Sequence, residues 1–400
     1  MKFGILKERK NPPDRRVVFS PEALVQLKKE YPDFSVAVES SEDRIFKDEE
    51  YRFAGIEVVN DISDCDVLIS VKEIPVEDLI ANKAYFFFSH TIKKQPHNCA
   101  LLQNILKKNI DLYDHETIVD PNNRRLIGFG KYAGYVGVYN SIRGFGLKYE
   151  LFKLPKASTL NGKEELVRHL KRLVLPPLKF VITGKGKVGK GAQEILSLLK
   201  IKEVSIENYL TKKYSQSVYT QLGVSDYYKH KENQVFDFED FKSNPANYES
   251  DFEKFTKVSE IYISGHFYSV GSPAILTREM LQSKDCKLKV VADISCDVGG
   301  PIACTLRTST IEEPFYGYLP SEAKEVDFFH PAALVVMAVD NLPSELPRDA
   351  SIGFGEMFTE YVIPAFFNED TDGVLERAQI THNGQLTARF SYLQDYVDGK

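Results

Sequence analysis

The sequence predicts an α/β protein made of two doubly wound, parallel-sheet domains. Three observations support this. The chain has 400 residues, more than one hydrophobic core usually organises. Its first third alternates short apolar runs with amphipathic stretches, as strands joined by crossover helices do. A second strand–glycine–helix pattern then opens in mid-chain, in PPLKFVITGKGKVGKGAQEILSLLK.

Taken in order, FGILKE (residues 3–8) reads as the first strand. SPEALVQLKKEY (residues 20–31) reads as a helix, with Ser20 as its N-cap and Pro21 at the first position, where no amide is needed. FSVAVE, VLISVKE and AYFFFSH read as buried strands, LLQNILKKN as a helix and IDLYDHE as a further strand. Residues 132–150 carry Ala and Gly at close spacing (AGYVGVYNSIRGFG) and read as a helix connecting the domains. Residues 157–171 are polar. LKFVIT is a β-branched strand and AQEILSLLK a helix. Residues 215–251, charged and rich in tyrosine, read as an irregular excursion. EIYISG and LKVVADIS read as later strands, and ARFSYLQDY (residues 388–396) as a last helix docking on the first domain.

The glycine run Gly184, Gly186, Gly189 matches G-x-G-x-x-G, with Lys187 and Val188 inside it. It follows an expected strand and opens an expected helix, the context in which such glycines let a backbone approach a pyrophosphate at a helix N-terminus. A ribose-binding carboxylate is expected about 20 residues on, at the end of the next strand. EVSIE places Glu207 there, which favours NAD. Lys212 and Lys213 follow and suit a 2′-phosphate, so these residues leave NAD and NADP both open.

The charge balance narrows the partners. Net charge is −6, so nothing draws the chain to nucleic acid or an anionic membrane in general. The N-terminus MKFGILKERK has no secretory pattern, and no apolar run approaches the roughly 20 residues that span a bilayer. The five cysteines form no CxxC pair, which suits a reduced cytoplasmic protein, and no paired-histidine motif suggests a metal.

Acid–base groups stand at expected strand ends. Lys72 and Glu73 close VLISVKE, and His90 closes AYFFFSH. Parallel strands present their carboxyl ends at one edge, where open α/β sheets bind ligands. A desolvated lysine can act as a base near neutrality, and histidine titrates there already. Taken singly, such residues are more often solvated or structural. Arg15, Arg16, Lys93, Arg124 and Arg125 lie near loop ends and suit a polycarboxylate.

Several motifs resemble the lysine–ketoglutarate reductase family, the lysine-forming saccharopine dehydrogenases, relatives of alanine dehydrogenase and the nucleotide-binding subunit of transhydrogenase. They are DRRVVFSP (14–21), VKEIP (71–75), FFSHTIKKQ (87–95), GKYAGYVG (130–137), FVITGKGKVGKGAQEI, ADISCDVGG (292–300), DNLPSELP (340–347) and ERAQITHNGQL (376–386), in this order. The resemblance implies two Rossmann-like domains with an interdomain cleft. Residues 1–130 with 335–400 would form the substrate-binding domain, and 131–334 the NAD(P)-binding domain. It implies Lys72 and His90 as the acid–base pair. Arg16, Lys93 and Arg125 would contact substrate carboxylates or cofactor, with Glu73 and Glu116 as acidic neighbours moderating the positive charge. Asp297 and Asn341 would lie near the nicotinamide cofactor.

The implied reaction interconverts L-lysine and 2-oxoglutarate with saccharopine. Residues 151–171 are shorter than in the bifunctional relatives, and those enzymes' glutamate-forming domain has no counterpart here, so only the lysine–saccharopine step is expected. Closeness to the bifunctional enzymes makes NADP (as NADPH) the leading cofactor. NAD is the cofactor of the fungal relatives and the one that Glu207 favours. Two other readings are an alanine-dehydrogenase-like enzyme using ammonia and a non-catalytic nucleotide-binding sensor. The joint presence of Lys72, Glu73, His90 and Asp297 opposes the sensor.

Overall fold

Two units make up the chain in the computed structural model, which describes residues 1–10, 13–269 and 271–400. Unit 1 is Met1–Phe129 with Pro347–Lys400, and unit 2 is Gly130–Leu346.

Unit 1 contains β1 (Lys2–Ile5), α1 (Pro21–Glu30), β2 (Ser35–Glu39), α2 (Asp48–Phe53), β3 (Glu57–Val59), β4 (Val67–Lys72), β5 (Ala84–Phe88), α3 (Cys99–Lys107) and β6 (Asp111–Asp114). The strands are all parallel in the order β3-β2-β1-β4-β5-β6, a doubly wound arrangement. Helix α1 starts as expected, with the Ser20 hydroxyl accepting the Ala23 amide at 3.2 Å. Alternate strand residues cover the two faces. Leu68, Tyr85, Phe87 and Leu112 meet Leu101, Leu102 and Ile105 of α3. On the other face Phe86 stacks on Tyr113 with centroids 4.4 Å apart, and Phe358 of helix Pro347–Tyr361 meets Phe86 edge-on. Ile380, Phe390, Leu393 and Tyr396 of the tail join the α3 side, so the tail docks on unit 1. It does so as a 3-10 turn (Ala388–Leu393) followed by a short helix (Gln394–Val397).

Unit 2 begins with α4 (Gly130–Lys148) and α5 (Lys163–Lys171), then β7 (Lys179–Thr183), α6 (Lys187–Leu198), β8 (Lys202–Glu203), α7 (Ile206–Thr211), β9 (Val218–Leu222) and α8 (Val224–Tyr227). A hairpin of β10 (Tyr228–His230) and β11 (Tyr248–Ser250) precedes β12 (Ile261–Ser264), β13 (Val290–Asp293), β14 (Phe315–Leu319), β15 (Lys324–Val326) and β16 (Leu334–Met337). The sheet order is β15-β14-β16-β13-β12-β7-β9-β8. It is parallel from β16 to β8, with β14 and β15 antiparallel at one edge. Phe180, Ile182, Ile261, Ile263, Val290 and Ala292 fill one core, while Val181, Tyr262 and Val291 point into the other. Burial on both faces explains why these strands read as continuous apolar runs.

The 132–150 helix falls in unit 2, within the expected 131–334 domain, and packs on α6, with Gly134 so close that a methyl group there would lie 2.2 Å from the Val188 carbonyl oxygen. Two sequence expectations are corrected. Residues 335–346 stay in unit 2, because β16 pairs with β13; the chain returns to unit 1 at Pro347, not at 335. Residues 215–251 are not irregular throughout, since β9 lies among them beside β7. Among the described residues no helix is long and apolar enough to cross a membrane.

Unit 2 also buries a carboxyl group. Glu345 is 2% exposed and accepts the Asn140 side-chain amide at 2.9 Å. Burial pushes its pKa from 4.5 up to about 7, against the pull of Asn140 and Arg143. A value raised on folding means that the group's contribution to stability is fully present below about pH 4.5 and is lost as pH rises through about 7. Glu345→Gln should therefore be more stable than the parent at about pH 8, by on the order of 2–3 kcal/mol. That advantage should shrink toward about pH 5, as read by urea denaturation. An identical pH dependence in both proteins would refute the assignment.

Candidate active site

Lys72 ends β4, and its position is shaped by a register shift. Ile69 pairs with Phe86 but Lys72 with Phe88, so β4 carries one extra residue between them. Such bulges re-aim the side chains that follow. The loop after β1 supports this strand end. The two carboxyl oxygens of Glu8 accept the amides of Val71 and Lys72 at 2.7 and 2.9 Å. Burial, followed by the charge of Asp14, pushes the Glu8 carboxyl up to about 8. Arg16, 3% exposed, makes a two-pronged bond to Asp14 at 3.0 and 2.6 Å and lies 4.3 Å over the Phe129 ring. Burial pushes Asp14 up, but Arg16 outweighs it and holds the carboxyl near about 2. Lys72 itself is lowered, by burial first and then by the charges of Arg16 and Lys10, with Asp14 and Glu73 opposing. Glu73 lies 3.7 Å from Lys10, and its other oxygen is buried without a partner among the described residues.

His90 follows β5 with φ +55°, a left-handed conformation uncommon for a residue with a side chain. Asp114, fully buried at the end of β6, accounts for it. Its carboxylate accepts the amides of Ser89, His90 and Glu116 at 3.0, 3.1 and 2.7 Å, and also the Ser89 hydroxyl. Glu116 then meets three basic groups. Its oxygens lie 2.9 Å from His90 Nδ1, 3.3 Å from Lys93 Nζ and 2.8 Å from the Arg125 guanidinium. Burial pushes Glu116 up, but the His90 bond and the Lys93 and Arg125 charges hold it near about 2. Lys93 and Arg125 keep about half of their side-chain surface exposed, 48% and 46%. Lys72, Glu73, His90, Lys93, Glu116 and Arg125 thus follow three neighbouring parallel strands, with Arg16 buried behind them.

In unit 2 the glycine run lies between β7 and α6, as expected. Gly184 has φ +94°, and a methyl group there would lie 2.5 Å from the Gly265 carbonyl oxygen. Gly186 caps α6, and a methyl group on it would meet nothing within 4 Å, so this backbone is open to a ligand. Lys187, Val188 and Gly189 form the first turn of α6. Asp297 follows β13 in a turn closed by the Gly300 amide at 2.9 Å, and Asn341 follows β16. Both loops leave the same carboxyl edge as the glycine run, because β7, β12, β13 and β16 are parallel.

The three other expected cofactor residues are placed elsewhere. Glu207 lies on the exposed first turn of α7, after the two-residue strand β8, and β9 separates β8 from β7. The Lys212 carbonyl accepts Lys179 Nζ at 2.8 Å, and Lys179 is the first residue of β7. Lys212 and Lys213 therefore sit at the amino edge of the sheet, opposite the glycine run. The reason is strand order: the strand next in sequence is not the strand next in space.

Glu8, Asp14 and Asp114 escaped sequence reasoning, although Asp14 lies in DRRVVFSP and Asp114 in IDLYDHE. Glu8 and Asp114 carry the same signal as Glu73, a carboxylate at or just beyond a strand end; Asp14, well past β1 in the loop before α1, does not. His266 escaped as well. It is buried, its Nδ1 lies 2.8 Å from the Thr183 hydroxyl, and burial pulls it down to about 4.

Comparison with known proteins follows the same two-part division. The family descriptions "Alanine dehydrogenase/PNT, N-terminal domain" and "Alanine dehydrogenase/PNT, C-terminal domain" match residues 4–136 and 174–389. An Arabidopsis thaliana protein named alpha-aminoadipic semialdehyde synthase is 31% identical over 435 residues, covering 98% of this chain and 41% of its own length. The chain therefore spans less than half of that relative. A Schizosaccharomyces pombe protein named saccharopine dehydrogenase (NAD(+), L-lysine-forming) is 28% identical over 352 residues, covering 83% of this chain and 84% of its own. A solved L-alanine dehydrogenase superposes with a TM-score of 0.66 at 19% identity, covering 100% of this chain and 99% of its own, which shows a shared fold.

The hold of Asp114 on the His90 turn can be tested directly. Asp114→Asn turns one acceptor oxygen into a donor facing backbone amides. It should cost about 1–3 kcal/mol of stability and speed amide exchange at Ser89, His90 and Glu116 selectively. Unchanged exchange at those three amides would show that the carboxylate does not fix the turn.

Proposed function

This chain belongs to the alanine dehydrogenase/PNT family, and from that premise we propose that it is a nicotinamide-dependent dehydrogenase interconverting L-lysine plus 2-oxoglutarate with saccharopine. The observation that carries the reading is the pairing, on adjacent strand ends, of a lysine of lowered basicity with a carboxylate-held histidine. Imine chemistry on two amino-acid-like substrates needs such groups, because protons must move at both oxygen and nitrogen. Similarity to proteins named for saccharopine and aminoadipic semialdehyde supports the substrate class.

In this reading unit 1 binds the substrates and unit 2 the dinucleotide. Arg125 and Lys93, still half exposed, hold substrate carboxylates, while Arg16, committed to Asp14, keeps Lys72 in a positive and desolvated setting. Glu116 offsets the basic charge and orients the His90 ring. His90 passes protons at the carbinolamine oxygen as water leaves. Lys72 protonates the new secondary amine, and in the reverse direction it takes that proton away. Gly184, Gly186, Lys187, Val188 and Gly189 would hold the pyrophosphate, with Asp297 and Asn341 toward the nicotinamide, which supplies or accepts the hydride. The expectation of NADPH loses its residue support, because Lys212 and Lys213 lie at the opposite sheet edge.

Initial rates with lysine and 2-oxoglutarate, in ammonia-free buffer with NADH or NADPH, should show lysine-dependent oxidation of the reduced cofactor. Lys72→Met and His90→Gln should each lower turnover by about 10²–10⁴-fold and leave dinucleotide binding nearly intact. Turnover with ammonia and a 2-oxo acid, but none with lysine, would overturn the substrate assignment. Parent-like rates in both folded variants would overturn the residue roles.

A further inference from the structure

The bulge that aims Lys72 is held by side chains from both flanks. Ser70 and Val71 of β4 lie opposite one residue of β5, Phe87, so their peptide groups cannot all find partners in the ladder. From the β1 side, Glu8 takes the amides of Val71 and Lys72. Within the bulge, the Ser70 hydroxyl donates to the Lys72 carbonyl at 2.8 Å. From the other side comes His115, the first residue after β6. Its Nε2 donates to the Ser70 carbonyl at 2.8 Å. Because β5 lies between β6 and β4, the imidazole reaches across a whole strand to do so.

The ring is confined and its proton is placed. His115 and Ser70 are both buried. The His115 amide donates to the Phe87 carbonyl at 3.1 Å. Its ring centroid lies 4.9, 5.1 and 5.8 Å from those of Phe88, Phe354 and Phe358. Burial pulls its pKa from 6.5 down to about 3, so the imidazole is neutral near pH 7. A carbonyl only accepts, so the one ring proton sits on Nε2. Nδ1 is buried with no hydrogen-bond partner among the described residues. A buried acceptor left unpaired is costly, so the bond to Ser70 is what the polar ring achieves here. On either side in the chain, Asp114 accepts the His90 amide and Glu116 holds the His90 ring.

We infer that His115 is a positioning residue for Lys72, and that the single segment Asp114–Glu116 sets the spacing of Lys72 and His90 by binding the ends of β4 and β5 at once. The inference rests on the proposed roles of Lys72 and His90. Without the His115 bond the bulge loses its tie on the β6 side. Undoing the bulge shifts the residues after it by one and turns Lys72 toward the opposite sheet face.

Two variants of the full chain test this. His115→Phe fills the aromatic surroundings but removes the donor, whereas His115→Gln keeps an N–H at the end of the side chain. The first readout is the pH midpoint at which Lys72 reacts with acetic anhydride, followed by peptide mass spectrometry. In His115→Phe it should rise by about one unit, because a displaced Lys72 loses the burial and the Arg16 and Lys10 charges that lower it, which outweigh Asp14 and Glu73. Lysine-dependent kcat should fall by about tenfold, with KM little changed. His115→Gln should recover most of both. A residue serving stability alone would lower the urea midpoint and leave the Lys72 midpoint in place. If His115→Phe does not fold, Ser70→Ala carries the test, since loss of the hydroxyl bond to the Lys72 carbonyl should raise the Lys72 midpoint as well. An unmoved Lys72 midpoint in the folded variant overturns the inference. A parent without lysine-dependent turnover overturns the proposed function instead, because the Lys72 midpoint is read without any turnover.

Discussion

Parallel strands cannot be joined by tight turns, so each connection must cross a face of the sheet and re-enter at the amino edge. In each unit that constraint sends the loops after successive parallel strands to one carboxyl edge, whatever their distance along the chain. Glu8, Lys72, His90 and Glu116 belong to four separate segments, yet they follow β1, β4, β5 and β6, which are adjacent in one sheet. The glycine run, Asp297 and Asn341 converge in unit 2 by the same rule. The sheets themselves are held by burial on both faces, so the site loops are free to carry polar chemistry on a rigid base.

Charge at the unit 1 edge is arranged in two layers. Behind the strand ends, Asp14 and Arg16 form a buried pair, with Glu8 pinning the amides of Val71 and Lys72. In front, Glu116 gathers His90, Lys93 and Arg125. Burying an ion pair is costly unless further bonds satisfy its atoms. Here Asp14 also accepts the Arg16 amide at 3.0 Å and Arg16 lies over the Phe129 ring face, which fixes the geometry of the pair. The depressed basicity of Lys72 follows from this arrangement, since desolvation and two neighbouring cations all favour its neutral form.

The left-handed turn at His90 shows how tertiary structure imposes what local preference resists. A β5 strand end would ordinarily leave this residue extended. Asp114, reaching from the next strand, collects three amides and stabilises a conformation that the residue's own sterics disfavour.

Much of this was legible in the sequence alone. Strands at VLISVKE, AYFFFSH and LKFVIT, the Ser20–Pro21 helix start and the glycine run before α6 are written in local periodicity and cap chemistry, which act over a few residues. That Lys72 and His90 end strands on one edge was legible too, because parallel strands share an edge by necessity, whereas Glu116 was named only through the family resemblance. Strand order was decided only by the tertiary structure. It inserted β9 between β7 and β8, moved Lys212 and Lys213 to the far edge and kept residues 335–346 in unit 2. A crossover carries no local mark of which gap its strand will fill; that choice is made by the packing of whole faces, which no short window of residues contains.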